Sequence, residues 1–232
     1  IHENIPYIKE IGYQGVDLFV KDPDEDVSKD AVKLLRKYDL GVGVVMPAAL
    51  AGQGLFLSHK DSAIRQEIVK RMRAIMKYTA ELGGMVPLGL VRGSAEPGES
   101  VDEVMMRFSQ SVEQLLPDSE RYGVPLLVEP INRYEINTLN GCIETADYIR
   151  KTGMPLYMMP DTFHMNIEDV SITDSLMYCR DYIKHVHFLD SNRLAPGMGH
   201  TDMGGVLTTL ESIGYDGFLC LEALSRPDEK TC

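Results

Sequence analysis

Four side chains able to bind a cation, Glu129, Asp161, His187 and Glu222, each close a short apolar run, and they recur at separations of 32, 26 and 35 residues. Each interval fits one strand, one helix and their connections, so the spacing reads as one ligand per βα unit. Runs such as Pro125-Leu-Leu-Val-Glu129 and Phe218-Leu-Cys-Leu-Glu222 carry a carboxylate at the end of an apolar strand. Burying that charge is costly unless a cation or another partner meets it. The four residues are therefore expected to form one divalent metal site.

The rest of the chain keeps the same rhythm. Strand-like runs span Gly15–Val20, Leu40–Met46, Met85–Val91, Val124–Glu129, Leu156–Asp161, Ile183–Phe188 and Gly217–Glu222, with helical patterns between them. Alternation of this kind implies parallel strands. With 232 residues, 44% of them hydrophobic, the chain suffices for one large core. The expected fold is α/β, a (β/α)8 TIM barrel, as a single domain over residues 1–232. Eight strands close such a barrel, whereas seven candidates are present. The chain opens in a helical pattern, Ile5 to Ile11, and ends about ten residues after the last strand candidate. It is accordingly expected to lack the first strand and the last helix. The longest helical patterns are Ser62–Leu82, with Ile64, Ile68, Met72, Ile75 and Thr79 at helical spacing, and Ser100–Tyr122; both read as packing against a core.

Composition excludes several function classes. A net charge of −12, from 35 acidic and 23 basic residues without a basic patch, disfavours nucleic acid as a partner. Neither a run of about 18 apolar residues nor a secretory leader is visible, so a soluble cytoplasmic protein without a membrane partner is expected. Cys142, Cys179, Cys220 and Cys232 lie far apart, which fits reduced thiols better than a disulfide framework or a zinc knuckle.

Residues two apart on a strand share a face. Leu127 and Glu129, Met159 and Asp161, His185 and His187, and Cys220 and Glu222 therefore point in common directions, with the ligand always last. In parallel barrels the carboxyl ends of the strands carry the chemistry. Three carboxylates and one imidazole favour Mn²⁺ or Mg²⁺, with Co²⁺ tolerated, and call for no organic cofactor. His185 is expected to lie below His187 as a hydrogen-bonded inner residue or a support for the ligands. Polar residues suited to a sugar follow the ligands: Asn132, Arg133 and Glu135, then His164, then Arg193.

The segments Val-Glu129-Pro-Ile-Asn-Arg-Tyr-Glu135, Asp161-Thr-Phe-His164-Met-Asn-Ile-Glu168 and His187-Phe-Leu-Asp-Ser-Asn-Arg193 make the chain resemble the xylose-isomerase-like barrel family and, within it, the ketose 3-epimerases. Gly89-Leu-Val-Arg92-Gly93 and Ala195-Pro-Gly-Met-Gly-His200-Thr-Asp202 look most like the 5-keto-L-gluconate epimerase branch, near the tagatose and psicose 3-epimerases. The resemblance implies that Glu129, Asp161, His187 and Glu222 bind the metal, and that Glu135, His164 and Arg193 hold substrate oxygens. It also implies a homo-oligomer, a dimer or tetramer, acting on a small sugar or sugar acid. One departure is the absence of Trp, which some ketose epimerases use to wall the pocket.

Proton removal beside a ketone needs a base and a means of holding the enediolate charge. A cation would do the second, and Glu129 and Glu222, from strands three apart, would act as bases on opposite faces. The expected activity is 3-epimerisation of a ketose or keto sugar acid. Arg92 is the candidate for selecting a carboxylate or phosphate, against a plain surface arginine. The Gly197-Met-Gly199 loop reads as a mobile or tightly turned mouth segment, or as an ordinary turn. Competing readings are an aldose–ketose isomerase of the hydroxypyruvate isomerase type, a keto-inositol dehydratase, a DNA-repair endonuclease and a catalytically silent sugar-binding protein. The last two fit poorly with six histidines, the acidic charge and the paired glutamates.

Overall fold

The computed structural model describes residues 2–224. They divide into two compact units, one running to Leu127 and the other starting at Val128. In the first unit the order is α1 (Asn4–Glu10), β1 (Gly15–Phe19), α2 (Asp26–Tyr38), β2 (Gly41–Met46), α3 (Ala48–Ala51), α4 (Ser62–Ala80), β3 (Val86–Pro87), a 3₁₀ turn (Leu90–Arg92), α5 (Val101–Glu113) and α6 (Leu116–Tyr122). Strand β4 (Leu126–Val128) falls on the boundary.

The core of this unit follows from two periodicities. Strand β2 is buried on both faces, as a parallel strand covered by helices must be, with Val44 and Val45 completely inaccessible. Helix α4 presents Ile68, Met72 and Ile75 inward, each at most 1% exposed, along the stripe expected from their spacing. Its start is capped by Asp61, whose carboxylate accepts the Ala63 N–H at 2.8 Å. Strands β1 and β2 pair in parallel but slip register between Val16 and Leu18. The Asp17 side chain accepts the Val44 N–H there, at 3.0 Å.

Two sequence expectations change. The helix anticipated over Ser100–Tyr122 is broken into α5 and α6, and Pro117, lacking an N–H, stands in the first turn of α6. The strand anticipated over Met85–Val91 is confined to Val86–Pro87, because Pro87 removes a ladder donor and the chain then curls into the 3₁₀ turn ending at Arg92.

The second unit continues with α7 (Cys142–Thr152), β5 (Leu156–Met158), α8 (Thr162–Glu168), α9 (Ile172–Cys179), β6 (Val186–His187), α10 (Met203–Ser212) and β7 (Leu219–Cys220). Seven strands thus form among the described residues, each inside a run picked out by its apolar pattern. The Met159 N–H donates to the Val128 carbonyl at 3.0 Å, tying the segment after β5 to β4. A parallel bridge joins Asp161 to His187, and β6 pairs in parallel with β7 through His187 and Cys220. The carboxyl ends of these four strands are therefore neighbours in sequence order.

Thr162 locks two of those ends together. Its hydroxyl donates to the Leu189 carbonyl at 2.5 Å and accepts the Leu189 N–H at 2.7 Å, entirely out of solvent. Replacing it with the near-isosteric valine would orphan both backbone groups. Thr162→Val should lower unfolding stability by about 1–3 kcal/mol in chemical denaturation of the metal-free protein. An unchanged midpoint and slope would contradict this assignment.

Candidate metal and sugar site

The second unit brings Glu129, Asp161, His187 and Glu222 together, with one ligand atom of each within 4.8 Å of all the others. Glu129 directly follows β4, Asp161 follows β5, His187 ends β6 and Glu222 lies just beyond β7. His187 Nδ1 faces the three carboxylates, at 3.5 Å from Glu129 Oε1, 3.4 Å from Glu222 Oε2 and 3.9 Å from Asp161 Oδ2. Donors about 2.1 Å from one cation stand about 3.0–3.5 Å apart, so a small contraction would close this set around a metal.

Asp161 gives the clearest sign of fit. Its Oδ1 accepts the Phe163 N–H at 2.7 Å, capping α8 and fixing the side chain. Oδ2 is buried and makes no hydrogen bond among the described residues. A buried carboxylate oxygen without a donor is costly to keep ionised. Burial pushes the Asp161 carboxyl up to about 7, opposed by His187 and reinforced by Glu129 and Glu222. Burial also acts to raise Glu222, but His187 and Arg193 outweigh it and hold that carboxyl below its ordinary value.

A polar network borders the ligands. The Asn132 amide donates to Glu135 Oε1 at 3.0 Å and meets His164 Nδ1 at 2.7 Å. With Nδ1 accepting, the neutral imidazole carries its proton on Nε2, which lies 3.8 Å from Asp161 Oδ2. Burial, with Arg193 adding to it, lowers the His164 pKa to about 3, so this ring stays neutral near pH 7. Arg193 donates to Glu135 Oε1 at 3.0 Å and to Glu222 Oε2 at 3.3 Å, and lies over the Phe163 ring at 5.1 Å. Its buried Nε makes no hydrogen bond among the described residues. A donor, Arg193 Nε–H, is thereby left beside a carboxylate-rich site.

Other anticipated residues fall differently. Arg133 is committed to Glu168 through its backbone N–H, Nε and Nη2, at 2.6–3.1 Å. His185 is fully buried and stands edge-on to His187, its ring centroid 5.5 Å away, matching the expected inner position. Arg92 belongs to the first unit, in the 3₁₀ turn and not on a strand. It is 0% exposed, which excludes the surface-arginine alternative. In the 197–199 segment, Gly197 adopts φ +90, and a side chain on Gly199 would strike Asp190 Oδ1 at 2.2 Å. The segment is a tight turn. His200 is exposed and meets Ser191 Oγ at 2.9 Å, and Asp202 caps α10.

Two contributors escaped the sequence reading. Phe163 forms the apolar bed of Arg193. Asp190 is a buried carboxylate; burial alone would raise its pKa, but the N–H groups of Thr201, Ser191, Gly199 and Gly197 together hold it well below the usual range. An aspartate shortly before two closely spaced glycines was the only available signal.

The Asp161 shift gives the site a pH signature. Below pH 7 a proton competes with the cation for Asp161; above it, the metal-free protein bears an uncompensated buried carboxylate and loses the stability that protonation supplied. Removing metal with a chelator should therefore lower Tm more at about pH 8 than at about pH 5.5. Calorimetry of loaded and stripped protein checks this, and an equal or reversed difference would contradict it.

Residues 5–231 match the family model described as xylose isomerase-like TIM barrel. The D-psicose 3-epimerase of Enterocloster bolteae is 34% identical over 208 residues, which cover 86% of this chain and 68% of that protein. The 3-dehydro-D-guloside 4-epimerase of Escherichia coli is 26% identical over 238 residues, 99% of this chain and 89% of that one. Among solved structures, an L-ribulose 3-epimerase superposes with a TM-score of 0.86 at 25% identity, covering 99% of this chain and 78% of that one. The match of the family model over nearly the whole sequence makes this chain a member of the xylose isomerase-like TIM-barrel family.

Proposed function

We propose that this protein is a cation-dependent carbohydrate epimerase that inverts the carbon next to a ketone, namely carbon 3 of a ketose or keto sugar acid. The observation that carries this reading is the meeting, in one site, of Glu129 and Glu222 with a neutral imidazole and a guanidinium. The names of the relatives support it. The E. coli relative is named for inverting carbon 4 of a 3-dehydro sugar, and the psicose relative for carbon 3 of a ketose. In both cases the inverted carbon neighbours the carbonyl.

When bound, a divalent cation supplies Lewis-acid polarisation of the ketone and the adjacent hydroxyl. The oxygen-rich set of Glu129, Asp161, Glu222 and the nitrogen of His187 suits Mn²⁺ first, with Mg²⁺ or Co²⁺ acceptable, and no organic cofactor is needed. Glu129 and Glu222 come from β4 and β7, three strands apart, and serve opposite faces of the substrate. One takes the proton from carbon 3, leaving an enediolate, and the other delivers a proton to the far face; their roles exchange with the direction of reaction. Ionised Glu222 is suited to accept the proton. His164 Nε2–H and Arg193 Nε–H donate to substrate oxygens, and Glu135 accepts from a hydroxyl while fixing Arg193. Hydrogen-bond donors preset toward developing negative charge lower the barrier without reorganising.

Arg92 is the residue we assign to choosing between charged and neutral sugars, since a guanidinium can pair bidentately with a carboxylate or phosphate. We take the working form to be a homo-oligomer in the cytoplasm, acting on a small sugar without nucleic acid or membrane. The charge of −12 agrees with the absence of a polyanionic partner.

Incubation of the Mn²⁺-loaded protein in D₂O with a panel of ketoses, keto sugar acids and 3-keto sugars should place deuterium on the inverted carbon. Glu129→Gln and Glu222→Gln should each reduce turnover by on the order of 10²-fold or more. Normal turnover in either variant would defeat the two-base scheme. An aldehyde product would mark an isomerase, and loss of water a dehydratase. In the same assay Arg92→Ala should lower kcat/KM on a keto acid by on the order of 10²-fold while sparing a neutral ketose. Equal losses on both would overturn the selectivity role.

A further inference from the structure

The loop after β6 is assembled around a carboxylate that lies outside the cation set. Asp190 is 1% exposed. Its Oδ1 accepts the N–H groups of Ser191 at 2.7 Å and Thr201 at 3.0 Å, and its Oδ2 accepts that of Gly197 at 2.8 Å. The Gly199 N–H is directed at the same group. One carboxylate thus gathers both limbs of the loop, a charge-assisted arrangement stronger than ordinary backbone pairing.

The backbone of Asp190 does a second task. Its carbonyl accepts the Arg193 N–H at 2.9 Å, and its N–H donates to the Leu194 carbonyl at 3.0 Å. Between them stands Arg193 at φ +61, a left-handed conformation uncommon for a residue with a side chain. Such a conformation persists where its surroundings over-determine it. The Leu224 N–H completes the clamp by donating to the Arg193 carbonyl at 2.9 Å. Gly199 permits the packing, since a Cβ there would lie 2.2 Å from Asp190 Oδ1 and 2.5 Å from Ser191 Oγ.

We propose that Asp190 is a positioning residue for the epimerase reaction: it folds the 190–201 loop so that Arg193 is held in its left-handed turn with the guanidinium aimed at Glu135, Glu222 and the substrate. This rests on the reading of Arg193 as a donor to substrate oxygens. Asp190 touches neither the four ligands nor the reacting carbon in that scheme, so its loss acts through Arg193 and leaves the cation in place.

The test uses the full Mn²⁺-loaded chain with Asp190→Asn, Gly199→Ala, Arg193→Ala and the Asp190→Asn/Arg193→Ala double variant. Asp190→Asn and Gly199→Ala, which disturbs the same carboxylate without removing it, should each lower kcat/KM on the order of 10²-fold, the scale of a small misplacement of a substrate contact. Mn²⁺ affinity, followed by electron paramagnetic resonance, should stay within about threefold. The double variant should be no slower than Arg193→Ala alone. Losses that multiply in the double variant, wild-type kcat/KM in Asp190→Asn, or Mn²⁺ affinity falling in step with activity would overturn the proposal. A readout independent of turnover separates this from the functional reading itself. Amide exchange at Ser191, Arg193, Gly197 and Thr201 should accelerate in Asp190→Asn, and unchanged protection there overturns the positioning role. A wild-type protein that turns over no sugar defeats the epimerase reading, while the exchange data still decide how the loop is held.

Discussion

The arrangement turns on a buried carboxylate oxygen that no group among the described residues satisfies. Asp161 Oδ2 lies among two further carboxylates and an imidazole, without a hydrogen bond among the described residues. Everything around it keeps it there. Oδ1 is committed to the start of α8, Asp161 bridges to His187, and Thr162 joins the same strand end to Leu189. Such a site is electrostatically unfavourable on its own and favourable around a divalent cation. The fold thus bears a local cost that binding of the ligand offsets, as is common where function and stability compete.

The second layer of the site distributes charge rather than adding to it. Arg193 neutralises Glu222 and Glu135 at once, while Asn132 links Glu135 to His164 and sets which ring nitrogen carries the proton. The imidazole stays neutral because burial and the nearby guanidinium both oppose a second proton. The result is a site with donors at fixed positions, in which Arg193 restrains Glu222 while His187 faces Glu129. Environment, not residue type, is what sets such groups to different tasks.

Much of this was legible in the sequence, for a definite reason. Strand ends recur with the period of a βα unit, so Glu129, Asp161, His187 and Glu222 could be aligned without knowing any contact. The stripe of Ile68, Met72 and Ile75 followed from helical spacing alone. What could not be read depended on pairings that no period encodes. Arg133 looked like a sugar ligand until Glu168 took its guanidinium. Asp190 follows no period, because its role lies in backbone N–H groups converging from residues up to 11 positions away. The break before α6 was available in Pro117, whose missing N–H outweighed an otherwise continuous helical pattern.

In the proposed site one divalent cation is held by three carboxylates and a single imidazole nitrogen. Pulsed electron paramagnetic resonance of the protein loaded with one equivalent of Mn²⁺ tests it directly. One bound ion per chain is expected, with one directly coordinated nitrogen whose coupling is abolished in His187→Ala. Two coordinated nitrogens, which would bring His164 or His185 into the coordination sphere, or a nitrogen coupling that survives His187→Ala, would contradict it.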